Sequence, residues 1–170
     1  RHVKRMLADP RSAQLVRNFV GQWLQLRNLK DISFDGNLFP GFSPQLAAAM
    51  KKETELFAWD LLRRDGSLLD FLEADYTFVN RELAEHYGIE VPTLKGKESD
   101  RFEKISLAGT PRGGILTQGS VLTLTSNPTR TSPVKRGRWV LENLLNLPPP
   151  PPAPNVMEIE DQKQLVGTLR

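Results

Sequence analysis

The sequence predicts a mostly α-helical protein of two closely packed helical subdomains, with a polyproline strap near the C-terminus. Three observations lead there. A capping residue is followed directly by proline at Asp9-Pro10, Ser43-Pro44 and Ser132-Pro133, and each pair opens a run with apolar residues at steps of three and four. Residues 89–113 are polar and rich in glycine and lysine, with room for one short strand near Phe102 to Leu107. Six of the seven residues from Pro148 to Pro154 are proline, which cannot donate the backbone hydrogen bonds of a helix.

The elements follow in order. From Asp9 the spacing predicts a helix with Leu15, Phe19, Trp23, Leu26 and Leu29 on one face, widened by Val16, Val20 and Leu24. From Ser43 a second helix carries Leu46, Met50, Phe57 and Leu61 on one stripe and ends at Asp65-Gly66. Ser67 to Gly88 reads as short helical pieces, with turns around Asp75 and before Arg81, and Gly88 as the stop. The stretch "ILTQGSVLTLTS" suits either a strand or a short buried helix by composition, and its glycines and length favour the helix. Ser132-Pro133 opens the last helix, with Val134, Gly137, Leu141 and Leu144 on one face and Gly137 as a point of close backbone approach. The prolines then predict an extended rod, and the tail to Arg170 is polar.

Composition excludes several functions. At 170 residues the chain can bury one real core or two small packed ones. A net charge of +3 is too small to mark a nucleic-acid partner. With no cysteine, the segment holds no disulfide, no thiolate nucleophile and no C-x-x-C-H haem attachment. Two histidines, His2 and His86, argue against a zinc site. No apolar run reaches the length of a membrane span. The opening "RHVKRML", without an initiating Met, reads as a piece of something longer.

Four features could carry chemistry. Arg130, Lys135, Arg136 and Arg138 surround the helix start at Ser132, where free N–H groups and the helix dipole attract anions. The partner could be a phosphate, a sulfate or a carboxylate. The sequence favours internal pairing of Arg130 and Arg136 with acids such as Asp75, Glu82 or Glu85. The proline run reads as a spacer or strap rather than a ligand for an aromatic groove. Glu53, Glu55, Asp60, Asp70, Glu73 and Asp75 offer carboxylates, but nothing in their spacing sets two across a cleft for glycoside chemistry. His86, in the last turn before Gly88, suits helix-end carbonyls or, less simply, a base or haem ligand.

The stretches "RMLADPRSAQLVRNFVGQWLQLRNL", "DFLEADYTFVNRELAEHYGI" and "RGGILTQGSVLTLTSNPTRTSPVKRGRWVLENLL", followed by the prolines, occur in an order that resembles a large family of exported proteins abundant in planctomycetes. These are built of domains of unknown function fifteen-ninety-two and fifteen-eighty-eight. On that resemblance the first domain covers residues 1–95 and the second 105–160, with 161–170 opening a linker. The resemblance implies a c-type cytochrome domain before this segment and a C-x-x-C-H segment after it, so covalent haem would lie outside this chain. It implies a periplasmic or cell-surface redox protein, and carries over no catalytic residue. Arg130, Thr131, Ser132, Pro133, Arg136 and Gly137 match its signature block.

The expected function is therefore a structural and interaction segment of a multidomain cytochrome-type protein that seats flanking haem domains. Arg130, Ser132, Arg136 and Arg138 would clamp a carboxylate, a haem propionate included, since arginine pairs with carboxylates in a two-pronged way. His86 would lie near the haem. The alternative is the substrate pocket of a haem-dependent oxidoreductase acting on a polymer such as polysaccharide. That version requires a pocket lined by aromatics and converging on Arg130, Arg136 or His86. A third reading is a simple anion-binding module, with a sulfate or phosphate beside Ser132.

Overall fold

A computed structural model describes residues 2–94 and 100–150. Its elements in chain order are α1 (His2–Ala8), α2 (Ala13–Trp23), α3 (Pro44–Arg63), α4 (Asp70–Glu73), β1 (Tyr76–Val79), α5 (Arg81–Tyr87), β2 (Glu103–Ser106), α6 (Gly119–Leu124) and α7 (Pro133–Asn143), joined by short 3-10 turns. The protein is mostly α-helical, as its sequence predicts.

The cap signals act where they are written. Asp9 accepts a hydrogen bond from the Arg11 N–H at 2.8 Å, Ser43 Oγ from Leu46 at 2.9 Å, and Ser132 Oγ from Lys135 at 3.2 Å. Each occupies one of the backbone donors that a helix start leaves unpaired. Gly88, at φ +67, closes α5 in the left-handed region that glycine enters without strain.

Two apolar clusters hold the elements. The larger combines Val16, Val20 and Leu24 with Phe57, Leu61, Ile115, Val121 and Trp139. Residues from both halves of the chain therefore share one core. The smaller gathers Leu46, Met50, Val79, Leu83 and Leu94. The stripe read on α3 feeds both, and α3 is the central element.

Several expectations need correction. The buried face of α2 is Val16 and Val20, while Leu15 and Phe19 stand out from the protein at 55% and 61% exposure. The helix stops at Trp23 because Gln25 turns left-handed, at φ 60. Leu26 and Leu29 therefore reach the core from a 3-10 segment, rotated off the line that α-helical spacing assigns them. Tyr76–Val79 is a strand and not a turn or helical piece. It pairs antiparallel with β2, Thr77 opposite Ile105 and Val79 opposite Glu103, because the buried Thr77 and Val79 alternate with half-buried Tyr76 and Phe78. On α7 the inward residue is Trp139 and Val134 is exposed. No atom outside the helix backbone lies within 4 Å of where a Gly137 side chain would start, so there is no close seam there.

Ile115–Thr117 and α6 are helical, in line with the sequence reading. Pro148–Pro150 are exposed and irregular; the strap from residue 151 and the polar tail lie outside the described residues. No helix among the described residues is long and apolar enough to cross a membrane.

Candidate functional site

The side chains that converge lie on one face of α3, where α5, α6 and the loop after Leu29 meet. Glu53 sits midway along the apolar stripe of α3 and is 1% exposed. Its Oε1 accepts from Thr77 Oγ1 at 2.6 Å, and its Oε2 accepts from the Tyr87 hydroxyl at 2.6 Å. The Tyr87 oxygen in turn accepts the Gly119 N–H at 2.6 Å. Strand β1, helix α5 and the first residue of α6 are thus pinned to one buried carboxyl.

Glycine is required at the α6 end of this chain of bonds. A Cβ on Gly119 would come within 2.9 Å of both the Tyr87 hydroxyl and Met50 Cγ. Arg112 covers the other side of the ring, its guanidinium carbon 3.8 Å from the Tyr87 centroid, with Nη1 donating to the Thr117 carbonyl at 2.8 Å. A cation stacked on a ring face is attracted by the ring quadrupole, and the stack fixes the plane of the guanidinium.

Electrostatics follow from burial. Desolvation pushes Glu53 up to about 7, against the opposing pull of the Thr77 and Tyr87 hydrogen bonds, the Arg112 charge and the Gly119 amide. Burial, with the adjoining Glu53 carboxylate, also drives the Tyr87 phenol far upward, so it keeps its proton. His86 is lowered, first by burial and then by Arg112, with Glu82 offsetting part of the effect.

In front of this group lies a cavity of about 360 Å³. Phe34, Phe39 and Phe42 form its apolar wall, Phe34 meeting Phe42 edge-on at 4.7 Å and Phe39 at 5.3 Å. His86, Tyr87, Arg112 and Arg130 line it as well. The phenylalanine loop is held at both ends: the Asp35 N–H donates to the Pro128 carbonyl at 3.2 Å, and Ser43 donates to Glu82 at 3.1 Å while capping α3. Asn127 N–H donates to the Arg130 carbonyl at 2.8 Å, which closes the turn that carries Arg130 to the cavity. Cations, an imidazole and aromatic rings around one hollow are the ordinary composition of a ligand site.

The sequence-predicted residues divide. Arg130 and His86 line the cavity. Ser132 is buried as the α7 cap, Arg136 Nε donates to Thr125 Oγ1 at 3.3 Å, and Arg138 pairs with Glu142 at 2.7 Å along the outside of α7. Glu53, Tyr87 and Arg112 were not singled out as a site by sequence reasoning. A signal for Glu53 was present: it fills the position between Met50 and Phe57 on an otherwise apolar stripe. Asp60 and Asp70 meet Lys104 and Arg64, and Glu55 lies nearest Arg17 and Lys51, so these acids serve surface pairs. Among the described residues no group of three or more potential metal ligands comes together.

A second hollow, about 390 Å³, lies toward the C-terminal end of α3, between α2 and α4. Its wall is nearly all apolar: Leu15, Phe19, Trp23, Leu62, Leu68 and Phe71. Leu68 is 80% exposed.

Fold and cavity together define a mostly helical chain with an aromatic, cation-lined cavity. The chain belongs to the family described as protein of unknown function DUF1592, PSD4, whose model matches residues 1–89. Residues 112–170 match a second family, protein of unknown function DUF1588, PSCyt3. These names suggest planctomycete cytochrome-associated families. No curated protein and no solved structure matches the chain significantly.

Proposed function

We propose that this chain is the ligand-recognition segment of a longer, exported cytochrome-associated oxidoreductase, with the redox centre in another domain of the same polypeptide. The observation that carries this reading is the convergence of His86, Arg112 and Arg130 on an aromatic-walled cavity backed by the buried Glu53–Tyr87 pair. A buried, perturbed carboxyl directly behind a cleft in which cations converge is a feature by which functional sites are recognised. The segment itself binds and orients; c-type haem elsewhere in the polypeptide would supply electron transfer. Arg112 and Arg130 hold an anionic group, and the phenylalanines cover an apolar or planar body.

The test uses the longer natural protein, expressed through its cysteine-containing segments in a host that attaches c-type haem. Arg112→Gln and Phe39→Ala should each weaken substrate binding at least tenfold and leave the Soret band and redox potential unchanged. Wild-type binding in both variants would overturn the reading.

A second reading, seating of a flanking cytochrome-type domain, is favoured by the apolar hollow between α2 and α4. Contiguous exposed apolar surface marks interaction sites. Phe19→Asp should then loosen the contact between domains, read as new protease cleavage between them. An unchanged cleavage pattern would remove this reading.

A further inference from the structure

Behind the pocket lies one group whose position a ligand-binding site does not by itself require. A carboxyl in the middle of a helix–helix core contributes little to packing and costs desolvation, yet Glu53 is held by two hydroxyls at 2.6 Å. It lies one hydrogen bond behind Tyr87, whose ring carries the Arg112 guanidinium that lines the cavity. We infer that the cavity takes the carboxylate of an aromatic or apolar acid against Arg112, and that Glu53 takes up one proton from solvent as that anion enters. This deepens the ligand-recognition reading and rests on it.

The ligand class follows from the walls. Nη1 of Arg112 is already engaged by the Thr117 carbonyl, which leaves the remaining guanidinium N–H groups to grip an anion in the ring-stacked plane. Phe34, Phe39 and Phe42 suit an apolar body better than the water shell of a small inorganic ion. Proton uptake follows from charge. Arg112 is the cation that favours the Glu53 carboxylate. An anion on Arg112 cancels that influence, so the buried carboxylate becomes costlier and protonates. The charge balance is one carboxylate in and one proton in.

Other titratable groups around α3 are accounted for. His86 and Glu82 lie on α5; Glu82 accepts from Ser43. Lys104 of β2 meets Asp60, Arg17 of α2 lies nearest Glu55, and α6 has no titratable side chain. Glu53 and His86 are the groups near the cavity that can change charge between pH 5 and 9, and His86 lies on the acid side of that range.

The test is calorimetric titration of benzoate into the whole chain at pH 7 to 9, in buffers of different ionisation enthalpy. Wild type should take up at most about half a proton at pH 7, where free Glu53 is already about half protonated, and more at pH 8, with affinity falling by up to about tenfold per pH unit above 7. Glu53→Gln, which keeps the side chain's shape and one accepting oxygen but cannot ionise, should bind with no uptake and no slope. His86→Gln should keep the slope, and Arg112→Gln should lose at least tenfold in affinity. Binding of benzoate without proton uptake, or a slope that survives in Glu53→Gln, overturns the inference and leaves the pocket reading intact. Absence of benzoate binding, or equal affinity for inorganic phosphate, overturns the carboxylate assignment. Should Glu53→Gln not fold, the Glu53 carboxyl ¹³C shift in wild type gives the same answer: its midpoint must rise when benzoate is added, and an unmoved midpoint sinks the proposal.

Discussion

The two hollows of this protein have similar volumes and opposite constructions. The one beneath Phe34, about 360 Å³, is backed by a buried carboxyl whose hydrogen bonds join three elements. The one between α2 and α4, about 390 Å³, has leucines and aromatics and no comparable polar network. The first can discriminate, because a ligand that leaves its buried donors unpaired loses their desolvation energy. The second can only bury area, which suits a broad partner surface and not a small ligand. Helix α3 contributes to both, Met50 to the first and Ala58, Leu61 and Leu62 to the second.

The sharpest way to break the contrast is to cut the core of α3 that lies under neither hollow but packs along the same helix. Phe57 is fully buried and touches Phe71 of the apolar hollow edge-on at 5.9 Å. Phe57→Ala should cost about 3–5 kcal/mol in urea unfolding. A loss near 1 kcal/mol would mean that the two sides of α3 are not one cooperative core.

Glu53 comes next, through pH. Its folded value of about 7 stands above the ordinary 4.5, so the protonated form is the one that the fold prefers. Its contribution is fully present below pH 4.5 and is lost as pH rises through 7, by about 3 kcal/mol in all. The stability difference between wild type and Glu53→Gln, measured by denaturant titration at pH 4 and pH 8, isolates this shift. A pH-independent difference would mean that Glu53 titrates in the fold as it does in the unfolded chain, and a difference that grows from pH 4 to pH 8 in favour of wild type would place it in an ionised pair.

Gly119→Ala should cost about 1–3 kcal/mol, since its methyl must displace the Tyr87 hydroxyl or Met50. The same variant should weaken benzoate binding, whereas the apolar hollow should remain intact to an apolar dye. Gly137→Ala works in the opposite direction. With open space around it, alanine should stabilise α7 by up to about 1 kcal/mol, read as a raised Tm. Smallest of all, Phe19→Ser should change stability by less than about 0.5 kcal/mol, because that ring is mostly outside the core. A larger loss would make Phe19 part of the fold instead of a docking surface.

Helix starts were legible because a cap acts through bonds made within three residues. Asp9, Ser43, Ser132 and Gly88 behave as local chemistry dictates. The faces of α2 and α7 were less legible, since periodicity shows that a stripe exists and not how the helix is rotated. Leu15 and Phe19 share the spacing of buried residues and remain exposed because α2 packs into the core through its Val16–Val20 side. The candidate site was legible at Arg130 and His86, both conspicuous as charged or titratable residues near a helix end. Glu53 was visible only as an acid on an apolar stripe, and its meaning depended on Thr77, Tyr87 and Arg112 arriving from 24, 34 and 59 residues away.

By itself, then, the sequence determined the class of fold, the starts of its main helices and the absence of thiol chemistry, all consequences of local backbone bonding and composition. The tertiary structure alone decided which carboxyl is buried, which arginine stacks on which ring, and that aromatic and cationic residues enclose one cavity. Desolvation and ring stacking depend on distances in space, and residues far apart along the chain acquire those distances only when α3, α5 and α6 pack.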